Sequence, residues 1–250
     1  MIDLHSHVLP GLDDGSPDLE AALALAREVA ASGVRVLAAT PHLRADFPDV
    51  RVSELPARVR ALQAAVDAAG LDLRIALGGE VDLLWAQGVE DDTLRAVTYD
   101  ARGTDLLVET PYGELPPLFE DLLFRIRVRG FRVLLAHPER NPSFQRDPAR
   151  LLRLVENDLL VQLTAASVVG GGRAAKLAAR LIADGHAHVI AGDLHRPNGS
   201  RAGLRAAVEH AGARAEWMVT DAPAAILEGA PLPPAPTGAA PRRRRWSRRS

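Results

Sequence analysis

Eight side chains of this 250-residue chain are of the types that hold divalent metal ions, and they recur in one setting, immediately after short apolar runs. His5 and His7 follow the first run, His42 the second in Thr-Pro-His, Glu80 the third in Gly-Gly-Glu, and Glu109 the fourth. His137 follows the fifth in Ala-His-Pro-Glu-Arg, and Asp193 and His195 the last in Gly-Asp-Leu-His. In an extended chain residues i and i+2 point to one side, so His5 with His7, and Asp193 with His195, can each reach one ion from a short segment. Turn chemistry alone would place Gly, Ser, Asn and Asp at strand ends, not five imidazoles and three carboxylates. Mixed imidazole and carboxylate donors suit Mn, Fe or Zn better than an all-oxygen Ca or Mg site. Gathering so many ionisable groups without cations would cost several kcal/mol in desolvation and repulsion. A carboxylate such as Glu80 can bridge two ions.

Two further groups border this set. Asp13 and Asp14 stand in Leu-Asp-Asp-Gly after the first run, where Gly15 lets the loop fold over a cleft; a turn or helix-cap pair is the competing reading. Arg140, three residues after His137, has the planar fork that grips phosphate, against a surface ion pair with Glu139 or Asp147. His186, His188 and His210 are read as structural. The first two stand at the start of the last apolar run rather than its end, and His210 at a helix C-terminus, where positive charge is favoured.

The elements that must position these groups alternate along the chain. Strands are expected at Ile2 to His5, Val34 to Ala39, Leu73 to Leu77, Asp105 to Val108, Arg132 to Ala136, Leu159 to Leu163 and His188 to Ala191. Amphipathic helices are expected near Asp18 to Ala31, Glu54 to Ala69, Leu115 to Arg129, Pro148 to Glu156, Arg173 to Ala183 and Gly203 to Ala211. This alternation argues an α/β fold, and in a closed parallel barrel every strand's carboxyl end opens on one face.

Apolar residues at 47% and charged residues at 25% exclude a wholly disordered or fibrous chain. The absence of cysteine excludes disulfides, Cys-ligated zinc and a cysteine nucleophile, so any phosphatase chemistry must run another way. No signal peptide and no apolar stretch of about 20 residues is found, and a cytoplasmic protein is expected. Residues 231–250 carry five of the 18 prolines, six arginines and no acid. Without them 24 basic residues face 32 acidic ones, so residues 1–230 carry a charge of −8, which argues against nucleic acid as a partner. The expected organisation is therefore a catalytic domain over 1–230 and a disordered Pro/Arg-rich tail over 231–250. Beside the reading as a solvated extension, the tail's arginines around Trp246 are a candidate weak tether for anionic lipid or an acidic partner.

The opening MIDLHSHVLPGLDDGS, followed by ATPH, GGEV, LLVETP, LAHPERN and VIAGDLHR, resembles the PHP (polymerase and histidinol phosphatase) superfamily over Met1 to Gly229. Within it the pattern is most similar to the CpsB/CapC family of manganese-dependent bacterial protein-tyrosine phosphatases. The resemblance implies a single-domain, PHP-type distorted (β/α)7 barrel with three divalent ions in its carboxyl-end cleft, Mn first, with Fe, Zn or Mg as alternatives. It implies His5, His7, His42, Glu80, Glu109, His137, Asp193 and His195 as ligands, Asp14 as a ninth, and catalytic roles for Asp14, His42 and Arg140. The implied reaction is hydrolysis of phosphotyrosine on a protein, a bacterial tyrosine kinase controlling capsule or exopolysaccharide synthesis. The alternatives are a phosphoesterase acting on a small metabolite such as histidinol phosphate, and a non-catalytic metal-stabilised module. The chain departs from the pattern at Asp221-Ala222-Pro223, where the family often has Asn-Pro, and in its basic tail.

Overall fold

The computed structural model describes residues 1–197 and 203–236. Nine strands are formed among them: β1 (Ile2–Asp3), β2 (Val36–Ala39), β3 (His42–Leu43), β4 (Arg74–Leu77), β5 (Glu80–Val81), β6 (Asp105–Glu109), β7 (Arg132–Ala136), β8 (Leu160–Thr164) and β9 (Val189–Ala191). All seven expected strands are present. The two additional ones continue the second and third beyond a break. Thr40-Pro41 separates β2 from β3, where proline has no N–H to give a ladder. Gly78-Gly79 separates β4 from β5, and a Cβ on Gly79 would stand 2.5 Å from Leu43 Cδ1.

Every strand pair is parallel, in two sheets of order β1-β2-β4 and β3-β5-β6-β7-β8-β9. Just past β1 and β9, Ser6 bridges Leu194 in parallel, with His7 N donating to Leu194 O at 2.8 Å and Asp193 N to His5 O at 2.9 Å. Parallel strands covered on both faces read as unbroken apolar runs, and β6 and β8 are buried at every position.

Helices cover the sheets with stripes spaced by three and four residues. Leu19–Ala31 buries Ala22, Leu25, Ala26 and Val29, and Leu55–Ala68 buries Leu55, Val59, Leu62 and Val66. Asp18 caps the first of these, accepting from Ala21 N at 2.8 Å. The six expected helices are present, joined by shorter ones at Leu83–Gln87, Asp91–Ala96, Pro142–Arg146, Ala165–Val169, Ala213–Val219 and Asp221–Glu228.

Strand alternation divides the core. One parity (Leu106, Val108, Val133, Leu135, Val161, Ile190) packs under the helices, while the other (Ala38, Ala76, Leu107, Leu134, Val189, Ala191) joins Leu4, Tyr99 and Ile226 in a second cluster. Tyr99 closes it, its buried hydroxyl donating to Leu4 O at 2.9 Å. Continuing that second parity leads from Ala38 to His42, from Ala76 to Glu80, from Leu107 to Glu109 and from Ala191 to Asp193. The chain stays on the body past residue 230: Leu232 and Ala235 pack against the core, and Arg132 donates to Ala230 O at 2.8 Å. The Arg-rich stretch around Trp246 lies outside the described residues.

Candidate metal centre

All nine side chains singled out as ligands meet at one place, from positions as distant as 5 and 195. Their donor atoms fall into four sets, each spanning at most 4.8 Å: His7 with Asp14, His42 and His195; His5 with His137 and Asp193; His5 with His7 and Glu80; and His42 with Glu80 and Glu109. Glu80 lies at the hinge of the sets. Its Oε2 is 3.2 Å from His5 Nε2, 3.4 Å from His7 Nε2 and 3.1 Å from His42 Nδ1, while Oε1 is 3.0 Å from His137 Nε2. Asp193 Oδ1 is 3.4 Å from His5 Nε2 and 3.6 Å from His7 Nε2. Asp14 Oδ1 is 3.3 Å from His195 Nε2 and 3.6 Å from His42 Nε2.

The donor chemistry fits divalent cations. Buried His42 Nδ1 and Glu80 Oε2 are 3.1 Å apart yet neither makes a hydrogen bond, an unsatisfied pair that a shared cation would satisfy. The imidazoles and carboxylates otherwise hold each other's charge. Burial pushes the His5 imidazole down, but Glu80 and Asp193 outweigh it and hold the group at about 9. Burial likewise works against ionised Glu80, and His5, His137 and His42 keep it well below the usual carboxylate range all the same. Such protons are what an entering cation displaces.

At two of the candidate ligands the backbone takes an unusual turn. His137 (φ 38°) and Asp193 (φ 51°) occupy the left-handed region, which costs a non-glycine residue on the order of 1–3 kcal/mol. The turn at His137 redirects a residue that would otherwise follow Ala136 onto the helix side of the sheet.

A second layer of side chains holds the first. Asp13 Oδ2 accepts from His7 Nδ1 at 2.7 Å and from His42 N at 3.1 Å, and its Oδ1 from Gly15 N at 3.1 Å. Gln162 Oε1 lies 3.0 Å from His5 Nδ1, Asp3 accepts from His5 N and Gly192 N, and Arg44 holds Glu109 at 2.9 Å. The two halves of the Asp13-Asp14 pair therefore differ: Asp13 turns in to orient two histidines, and Asp14 joins a donor set. Gly15 serves this loop through its lack of bulk, since a Cβ there would stand 2.0 Å from His7 O. Sequence reasoning passed over Gln162 and Arg44 because nothing local marks a residue whose partner is more than 60 positions away.

Arg140 pairs with neither Glu139 nor Asp147. It donates to Asp193 Oδ2 at 2.5 Å, while buried Glu139 accepts from Thr164 N and Oγ1, each at 3.0 Å. Beside the cluster opens a cleft of about 640 Å³ bordered by Tyr112, Arg140, Ser167, Gly171, His195 and Arg196. His186, His188 and His210 belong to none of the donor sets. His188 instead accepts at Nδ1 from Val161 N at 3.0 Å, and burial, followed by Arg214 and His186, pushes its imidazole down to about 4.

Residues 1–219 match the profile of the family described as capsular polysaccharide synthesis, CpsB/CapC. The tyrosine-protein phosphatase YwqE of Bacillus subtilis is 28% identical over 198 residues, 78% of this chain and 77% of the relative. The putative tyrosine-protein phosphatase CapC of Staphylococcus aureus is 27% identical over 199 residues, with the same shares of each chain. Among solved structures, one reported for YwqE from B. subtilis and CpsB from Streptococcus pneumoniae, described as unique metal-dependent tyrosine phosphatases, superposes with a TM-score of 0.80. It is 25% identical, and the match covers 96% of this chain and all of the other.

Proposed function

The chain belongs to the CpsB/CapC family, and from that premise we propose that it is a metal-dependent phosphatase hydrolysing phosphotyrosine on a protein. The observation that carries the reading is the convergence of nine imidazole and carboxylate donors around Glu80 beside an open cleft. We assign His5, His7, Asp14, His42, Glu80, Glu109, His137, Asp193 and His195 as the residues that would hold three divalent ions, Mn first, with Glu80, the carboxylate common to two of the sets, the one that would be shared between ions. Divalent ions held there supply an acidified water for attack and positive charge for the phosphoryl oxygens. The all-parallel pairing and the Ser6–Leu194 bridge support reading the two sheets as one distorted (β/α)7 barrel, with this centre at its carboxyl-end mouth.

The chain's own groups then divide the work. Asp13 and Gln162 hold His7 and His5 in orientation through their Nδ1 atoms. Arg140, whose guanidinium already lies on a carboxylate at the cleft edge, exchanges part of that contact for phosphate oxygens and aligns the ester. The leaving phenolate has a pKa near 10 and needs little help to depart. Asp14 is about half exposed where most other donors are buried, and it or His42 would pass a proton from water to the departing phenolate oxygen. The substrate is placed on a bacterial tyrosine kinase governing capsule or exopolysaccharide export, consistent with the family's name. No helix among the described residues is long and apolar enough to cross a membrane, in keeping with a cytoplasmic enzyme. A catalytic domain of 1–230, against which Leu232 and Ala235 still pack, followed by a tail whose arginines would tether it weakly to anionic lipid or an acidic partner, completes the proposal.

Protein stripped by chelator and reloaded singly with Mn, Fe, Zn or Mg tests it, with a phosphotyrosine peptide set against histidinol phosphate. The expected result is recovery with Mn and preference for the peptide. Inactivity with every ion, or preference for histidinol phosphate, would overturn it.

A further inference from the structure

Tyr112 is exposed to 62%, yet the backbone on both sides of it is tied down by side-chain hydrogen bonds. Buried Asn141 donates through Nδ2 to the carbonyls on either side of it, Pro111 O at 2.6 Å and Gly113 O at 2.9 Å. The loop's two ends are also fixed. Thr110 Oγ1 donates to Ala136 O at 2.5 Å, and Leu115 N to Ser143 Oγ at 3.2 Å. The ring itself makes no stacking contact and the hydroxyl no hydrogen bond among the described residues. An aromatic side chain held out to water on a clamped backbone does nothing for the core, and such rings are what recognition surfaces use, since only two torsions must be ordered.

Its place gives that ring an object. Tyr112 lies three residues beyond Glu109 and borders the same cleft as Arg140, Asp193 and His195. It is the one carbocyclic aromatic on that border among the described residues. The donor atoms of Glu80 and His5 are buried at the base, so a phosphoryl group can reach them only if the group carrying it enters the cleft. For phosphotyrosine that group is a flat phenyl ring, which must then lie along the rim.

Resting on the phosphatase reading above, we propose that Tyr112 is a specificity-determining residue: its ring packs against the aryl group of the substrate ester and selects aryl over alkyl phosphates. The preference comes from the ring face and not from the hydroxyl. Arg140 and the metal centre take the phosphoryl group whatever its ester, so selectivity resides in the one rim group that distinguishes a phenyl from a methyl.

The test uses Mn-loaded full-length protein and two non-hydrolysable probes, phenylphosphonate and methylphosphonate, with affinities read by calorimetry. Aromatic packing of this kind corresponds to about 3- to 10-fold in affinity. Wild type is expected to bind phenylphosphonate more tightly than methylphosphonate. Tyr112→Ala should lose that margin, weakening about 3- to 10-fold for the phenyl probe with no change for the methyl probe, and Tyr112→Phe should keep it. Equal weakening for both probes, no weakening for either, or a Phe variant that behaves like Ala would overturn the proposal. Failure of the phosphatase reading shows separately, as wild-type protein that turns over no phosphotyrosine peptide.

Discussion

Replacing Asp13 with Asn removes a charge that touches no substrate, and it should nevertheless weaken metal binding. The carboxylate is buried between His7 Nδ1 at 2.7 Å and His42 N at 3.1 Å on one oxygen and Gly15 N at 3.1 Å on the other. His7 holds it below the usual carboxylate range against the opposing effect of burial. An amide has only one acceptor atom to set against these three donors, so its NH2 must face either Gly15 N or the two histidines. Exchanging a charge-assisted bond worth about 1.5–3 kcal/mol for a neutral one worth about 0.5–1.5 kcal/mol loses roughly 1–2 kcal/mol. His7 also becomes less basic and less firmly oriented, and groups that orient metal-bound imidazoles in this way typically contribute 10- to 100-fold in affinity. Titrating Mn into chelator-stripped protein should therefore give binding about 10- to 100-fold weaker for Asp13→Asn, and weaker still for Asp13→Ala. Circular dichroism and thermal melting of the stripped proteins control for folding. A folded Asp13→Asn protein that binds Mn as wild type does would refute the reasoning that the inward acid of the pair orients the ligands.

Two other outcomes are expected, one on pH and one on the chain's end. Folding keeps His188 near 4 against 6.5 for the free group, so its contribution is complete above pH 6.5 and is lost as pH falls toward 4, where only the unfolded chain takes up the proton. Relative to His188→Asn, which keeps an acceptor for Val161 N but cannot titrate, metal-free wild type should lose about 2 kcal/mol of stability between pH 7.5 and 4.5 in urea unfolding; a pH-independent difference would contradict this. Ending the chain after Ala230 strips Leu232 and Ala235 from the core and should cost about 1–2 kcal/mol relative to a chain ending after Pro236, while equal urea midpoints would show that segment to be idle.

The convergence of the candidate ligands was legible in the sequence because strand geometry turns position into direction. A His or acid two residues beyond an inward-facing Leu107 or Ala191, or four beyond Ala38 or Ala76, shares that residue's side of the sheet, and a pattern repeated over several strands is hard to arrive at otherwise. The division of labour was not legible. Asp13 and Asp14 are the same residue type one step apart, and only the loop's path, pressed against His7 O at Gly15, decides which of them turns in. Arg140 offered two local partners and took a distant one in Asp193, since charge pairing across a site follows the tertiary course of the chain. The helices at Leu83–Gln87 and Pro142–Arg146 are too short to show a 3.6-residue period, and they rest instead on Asp82 and Asn141 as caps. Breaks in the second and third strands passed unnoticed because Thr-Pro and Gly-Gly mark a turn as readily as an interrupted ladder.

The bridge between Ser6 and Leu194 also bears on the order of events during synthesis. Because His5 and His7 emerge early and Asp193 and His195 only after almost two hundred residues, no growing chain shorter than that possesses the complete set of donors. Contacts of such long range form late and slowly. A product that stops short of Asp193 and His195 carries two of the four donor sets in full, His5 with His7 and Glu80 and His42 with Glu80 and Glu109, and lacks the donors that complete the other two.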